Sequence, residues 1–176
     1  MHVIRLDPGE LYIGTAPSEV HTVLGSCVSI IFFNARLKLG AICHARKPTH
    51  ACAGSGVGGL KICRELGDHV SCSLAFMLAW FDHKGGVRQE LEVKLFGGGM
   101  MFGHISTSEG NPILNMGKRN IDTAMDFIRA KRLHLTASDV GGPWARQLVF
   151  FTETGEIRLK RIRKSAQELD GLENFF

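Results

Sequence analysis

Along this chain, apolar positions recur with the period of two expected of a strand, or with the three- and four-residue steps of a helix, and glycines mark the breaks. Val20 to Leu24 reads as a short strand, and Gly25-Ser26 turns the chain after it. Cys27 to Phe33 then runs Cys-Val-Ser-Ile-Ile-Phe-Phe, an apolar stretch rich in strand formers. Asn34-Ala35-Arg36 marks another turn, and Leu37 to His44 supplies a partner strand. Together they predict a hairpin. Antiparallel strands run back past each other, so the start of the first lies beside the end of the second, which brings Cys27 towards His44.

Beyond the hairpin the pattern changes. Arg46 to Gly58, with Pro48 and several glycines, reads as a mobile loop. Leu60, Cys63, Leu66, Val70, Leu74, Met77 and Phe81 recur at helical steps and predict one long amphipathic helix ended by Gly85-Gly86. Leu91 to Phe96 alternates like a strand and runs into Gly97-Gly98-Gly99. A second helix is predicted over Asn120 to Lys131, with Ile121, Met125 and Ile128 on one face and Asn120 as candidate cap. Leu133 to Ala137 is a further strand, and Gln147 to Thr152 with Glu156 to Ile162 form a closing hairpin around Thr154-Gly155. Strands and helices mix without a regular β-α-β alternation. The expected fold class is therefore α+β, a single layered domain over residues 1–176 with a mixed or antiparallel sheet and two main helices.

Composition narrows the function classes. The 176 residues suffice for one domain, burying roughly 70% of the surface of the unfolded chain. Hydrophobic residues at 44% and charged residues at 22% are ordinary globular values, which argues against disorder. The longest apolar run, Leu74 to Phe81, falls far short of a bilayer span, so no membrane insertion is expected. The first residues lack the charged cap and apolar stretch of a secretory signal, and the expected location is cytoplasmic. Five cysteines without a Cys-x-x-Cys pair do not read as a disulfide framework. The net charge is +4, concentrated in Arg158 to Lys164. That stretch reads as a solvated strand end and not as a nucleic-acid footprint, which would bring a broader patch or a known module.

Two residues invite a chemical reading. Cys27 follows a Gly-Ser turn that can leave a main-chain N–H free to bind an oxyanion, and a facing histidine can take and return its proton. On position alone, an internal cysteine in an apolar run is more often a packing residue, and a histidine near a strand end is more often structural. Gly54-Ser55-Gly56-Val57-Gly58-Gly59 matches G-x-G-x-x-G but follows no convincing strand, so a flexible loop leading to a helix is the better reading. Cys43, His44, His50 and Cys52 offer zinc-type ligands without the usual knuckle spacing, and no metal is assigned.

The whole pattern shifts that balance towards chemistry. Leu24-Gly25-Ser26-Cys27-Val28 and Gly40-Ala41-Ile42-Cys43-His44 resemble the CheD family, the chemoreceptor glutamine deamidases of bacterial chemotaxis. The likeness continues through Lys94 to Phe102, Met116 to Asn120, Asp139 to Gly142 and Thr154 to Ile157, in the family's order. The resemblance implies a compact α/β layered domain that hydrolyses receptor glutamine side chains to glutamate and ammonia, and in some receptors methyl esters. It implies Cys27 as nucleophile, His44 as general base and no cofactor; from the residues themselves Gly25, Ser26, Gly97 and Gly98 are candidate substrate contacts, and the glycine cluster reads equally as a strained turn beneath the core. The implied partners are the helical cytoplasmic domain of a chemoreceptor and a CheC-like phosphatase.

Two departures from the family pattern stand out. The third catalytic residue is expected to be a threonine six positions before the cysteine, where this chain has His21, with Thr22 one residue later. Neighbouring strand residues face opposite ways, so Thr22 is expected to need a bulge to take that role, and His21 is the other candidate. Pro143 to Gln147 replaces a Gly-Arg-Lys run and reads as surface tuning. The alternative functions are a non-catalytic module that regulates a CheC-like phosphatase, and a thiol peptidase.

Overall fold

The computed structural model describes residues 2–15, 17–50, 55–57, 60–100 and 115–163. In chain order the strands are β1 (His2–Arg5), β2 (Leu11–Gly14), β3 (Ser18–Leu24), β4 (Val28–Asn34), β5 (Leu39–Cys43), β6 (Ser55–Val57) and β7 (Leu60–Ile62). There follow α1 (Val70–His83), β8 (Glu92–Gly97), α2 (Met116–Ala130), β9 (His134–Val140), β10 (Trp144–Phe151) and β11 (Ile157–Arg163). Two mixed sheets and the two helices make an α+β fold. One sheet has the order β1-β3-β10-β11 and the other β2-β5-β4-β8-β9. Among the described residues, the only parallel pairs in these two sheets are β1 with β3 and β8 with β9.

The five-stranded sheet lies between two cores. Val28, Ile30 and Phe32 of β4, with Ala41 and Cys43 of β5 and Val93 and Leu95 of β8, pack on α1 and α2 through Leu74, Met77, Phe81, Ala124 and Ile128. The alternate residues Ile31, Phe33 and Ile42 pack on the four-stranded sheet through Val20, Leu24, Leu148 and Phe150. Both faces of β4 are therefore dry, and all seven of its residues are buried. That is why its sequence is apolar on both faces, with only Ser29 and the terminal Asn34 polar, and does not alternate.

The helices follow the apolar stripes with one correction. The long helix expected from Leu60 to Phe81 begins at Val70, because Leu60–Ile62 is strand β7 and the following residues form turns up to an extended His69. The expected loop over Arg46 to Gly58 contains strand β6, which pairs with β7, so part of the glycine-rich motif sits in a small hairpin. Its remaining glycines and Cys52 lie outside the described residues. α2 starts at Met116 after Asn115, and Asn120 is an interior residue of the helix, not its cap. Among the described residues no helix is long and apolar enough to cross a membrane.

The reading of Pro143 to Gln147 as surface tuning is also corrected. Arg146 is buried at 1% exposure and places Nη2 2.7 Å from Asp139 Oδ1. It also donates to the Trp144 and Gly141 carbonyls at 2.9 and 2.6 Å. A guanidinium taken from water needs this full set of acceptors, so the segment locks β10 onto the end of β9.

Candidate active site

Main-chain register assembles the site. Val28 and Ala45 exchange both hydrogen bonds at 2.9 Å, extending the β4–β5 ladder in which Ile31 faces Ile42. Counting outwards from that pair sets Ser29 opposite His44 and Cys27 opposite Arg46. Side chains alternate along a strand, so these four share the face of Ile31 and Ile42, which is turned to the four-stranded sheet. Cys27 and His44 are diagonal neighbours on that face. His44 is held on its other side by the β1–β2 turn, with Gly9 N–H donating to its carbonyl at 2.8 Å and its own N–H donating to Glu10 at 2.9 Å.

The imidazole meets a side chain from the opposite sheet. Thr22 Oγ1 of β3 lies 2.7 Å from His44 Nδ1 and donates to the Leu6 carbonyl at 2.9 Å. A carbonyl oxygen only accepts, so the single hydroxyl proton goes to Leu6 and the hydroxyl oxygen accepts from His44. This pattern puts the ring proton on Nδ1 and leaves the lone pair on Nε2. Burial holds the His44 pKa below 6.5, outweighing the backbone hydrogen bond at Leu6 and the negative charge of Asp7. The resting ring is neutral near pH 7.

The thiol is half-buried, and burial pushes it up to about 11. The nearby Arg46 cation lowers it, Asp68 raises it, and the N–H of Cys27 itself favours the thiolate. No hydrogen bond joins the sulfur to the His44 ring among the described residues. Arg46 forms an ion pair with Asp68, and Lys47 Nζ lies 2.9 Å from the same carboxylate. Although burial works against ionisation, hydrogen bonds from these two cations hold Asp68 below the usual carboxylate range. The net effect beside the thiol is one cation, partly neutralised.

The main chain around Cys27 is fixed from behind. Gly98 N–H donates to the Cys27 carbonyl at 2.7 Å and Gly99 N–H to the Gly25 carbonyl at 2.8 Å. Gly97 has φ +103, and a Cβ there would sit 2.3 Å from the Cys27 carbonyl oxygen. On α2, Asn120 Nδ2 donates to the Ser26 and Arg46 carbonyls at 3.2 and 2.9 Å, bridging the cysteine turn to the strand opposite it.

The structure brings Cys27, His44 and Thr22 to one edge of the space between the sheets. Thr22 reaches the site without a bulge, because β3 pairs regularly with β1 and β10 and Thr22 shares its inward face with Val20 and Leu24. His21 turns outward, with Nε2 3.2 Å from Glu19. It lines an open cleft of about 340 Å³ that also borders Leu6, Thr22 and His44. Gly97 and Gly98 lie behind the cysteine, and the Gly98 N–H is engaged by protein. Cys43 packs in the helix-side core, so Cys43 and His44 face opposite ways. Sequence reasoning missed the Leu6 acceptor, the Arg46–Asp68 pair and the Asn120 bridge. The inward phase of Thr22 was readable from Val20 and Leu24, two positions to either side.

Comparison with known proteins adds three findings. Residues 63–161 match the family model described as CheD chemotactic sensory transduction. A protein of Geobacter sulfurreducens named "Probable chemoreceptor glutamine deamidase CheD 2" is 38% identical over 92% of this chain and 91% of its own. Proteins named "Probable chemoreceptor glutamine deamidase CheD" from Maridesulfovibrio salexigens and Oleidesulfovibrio alaskensis are 38% and 32% identical, covering 92% and 94% of this chain and 92% and 76% of their own.

Proposed function

This chain belongs to the CheD family, and from that premise we propose that it deamidates glutamine side chains of chemoreceptors, using Cys27 as nucleophile, His44 as proton carrier and Thr22 to hold the imidazole. The observation that carries this reading is the Thr22 hydroxyl, 2.7 Å from His44 Nδ1 and committed as donor to Leu6. It supports an Nε2 with a bare lone pair on the sheet face that Cys27 shares. A thiol near 11 beside a neutral imidazole implies a resting thiol–imidazole pair. Thiolate then forms as the substrate binds and the imidazole takes the proton.

The reaction balances in two halves. The Cys27 sulfur bonds to the glutamine carboxamide carbon while Nε2 takes the S–H proton, and the oxyanion forms beside the Cys27 N–H. The imidazolium then protonates the amide nitrogen, the C–N bond breaks, and ammonia leaves a thioester. Water, deprotonated by Nε2, attacks the thioester carbonyl; the C–S bond breaks and the proton returns to sulfur, releasing glutamate. Under the same proposal one domain over residues 1–176 performs this in the cytoplasm, on the helical cytoplasmic part of a receptor.

Intact-mass spectrometry of a receptor cytoplasmic domain tests the reading. The expected outcome is a gain of about one dalton per site with the wild type and none with Cys27→Ala. Equal masses in both, on well-folded receptors, would overturn it and favour a binding module for a CheC-like phosphatase.

A further inference from the structure

A second cluster of chemically competent side chains lies outside the thiol site, where the strap after β5 meets the start of α1. His50, Glu65 and His69 each offer one ligand atom, and these atoms all lie within 4.8 Å of one another. His69 is buried, yet its Nδ1 has no hydrogen-bond partner among the described residues. Leaving such a nitrogen unpaired costs roughly 1–3 kcal/mol, so its orientation calls for a reason. Glu65 Oε2 stands 3.5 Å away, too far for a good hydrogen bond. Two ligands of a tetrahedral ion with bonds of 2.0–2.1 Å stand about 3.4 Å apart. The His50 ring stacks on the His69 ring with centroids 4.6 Å apart and planes 27° from parallel, so both imidazoles are at hand, and the exposed His50 ring has to turn out of the stack to aim its lone pair at an ion beside His69 Nδ1.

We propose that His50, Glu65 and His69 form a binding site for one divalent transition-metal ion of the zinc type, with a fourth position open to water. Two imidazoles and one carboxylate suit such an ion better than calcium or magnesium, which take all-oxygen or largely hydrated sites. The main chain holds the three residues close together. His50 N–H donates to Ser71 Oγ at 3.3 Å, Ser71 N–H to the Pro48 carbonyl at 3.0 Å and Val70 N–H to the Lys47 carbonyl at 2.9 Å. The strap is thus already tied to the first turn of α1. An ion would fasten it there and fix the turn Glu65 to His69, which carries Asp68, the partner of Arg46 beside Cys27. This inference is independent of the deamidase reading.

The test is metal binding by the full chain, measured by zinc competition against a chromogenic chelator and by cobalt(II) absorption. His69→Ala removes a buried ring and risks the fold, so the exposed ligands carry the test through His50→Ala and Glu65→Gln. The expected result is one equivalent of zinc for the wild type, affinity at least tenfold weaker in both variants, and weak visible cobalt bands without thiolate charge transfer. Absence of binding at micromolar zinc, affinity unchanged in both variants, or an intense near-ultraviolet thiolate band would each overturn the site.

Discussion

Cys27 and Cys43 lie on opposite faces of the same sheet, both at the open end of one hairpin. Burial pushes both thiols up to about 11, so proton affinity does not separate them. Their surroundings do. Cys43 is fully buried against the helices, where its only side-chain hydrogen-bond partner is the Ser73 hydroxyl, with no cation or imidazole facing it among the described residues. Cys27 is half-open, stands opposite Arg46, and shares its face with an imidazole that a threonine from the other sheet holds in one tautomer. In this protein, a reactive thiol is defined by what faces it.

The sharpest way to break that contrast is paired substitution. Cys27→Ala should abolish ammonia release, a loss beyond about 10⁴-fold, while Cys43→Ala keeps turnover and lowers unfolding free energy by about 1–2 kcal/mol. Ammonia assays and urea denaturation check the pair; an active Cys27→Ala protein would remove the distinction. Next, His44→Ala should cost about 10²–10⁴-fold in kcat. Thr22→Val should cost roughly 5- to 150-fold, the worth of one buried hydrogen bond of about 1–3 kcal/mol. His21→Thr should stay within about twofold, as expected of an outward residue, and a larger change would bring it back into the mechanism.

The pH profile sharpens the same comparison. His44 acts as base only when neutral, and its pKa lies below 6.5. The acid limb of kcat should therefore fall below pH 6.5, with activity present above it and lost as pH drops through the folded value. A limb above pH 7 would contradict this. Iodoacetamide labelling of Cys27 gives a further readout, and its rate should climb towards pH 11. Because the Arg46 cation favours thiolate, Arg46→Gln should slow labelling at pH 9 a few-fold; faster labelling would reverse the assigned sign.

Local patterning made much of the fold legible. The Cys27–His44 hairpin, the β10–β11 hairpin and α2 lie within a few residues of their expected bounds, because each is specified by turn residues and a short-range period. The stripe from Leu60 to Leu66 continued helical spacing into a segment that pairs as β7 and then turns, and spacing alone carries no information about a partner strand. Asn120 looked like a cap because asparagine favours caps, but carbonyls distant in sequence claim its side chain. The site was legible to the same depth: the hairpin brought Cys27 and His44 together. The threonine was misjudged because its role depends on a second sheet packed over the first.

That second sheet also sets when the site is completed during folding. β3, which carries Thr22, is flanked in its sheet by β1 and by β10, and β10 enters from the far end of the sequence, with Val20 facing Phe150. Pairings this distant in sequence close slowly, after local hairpins have formed. On the ribosome, Cys27 and His44 emerge early, whereas the cover that seats Thr22 against the imidazole awaits nearly the whole chain. Nascent chains would carry the thiol without its fixed base, so the order of synthesis would itself keep the nucleophile quiet until the domain has closed.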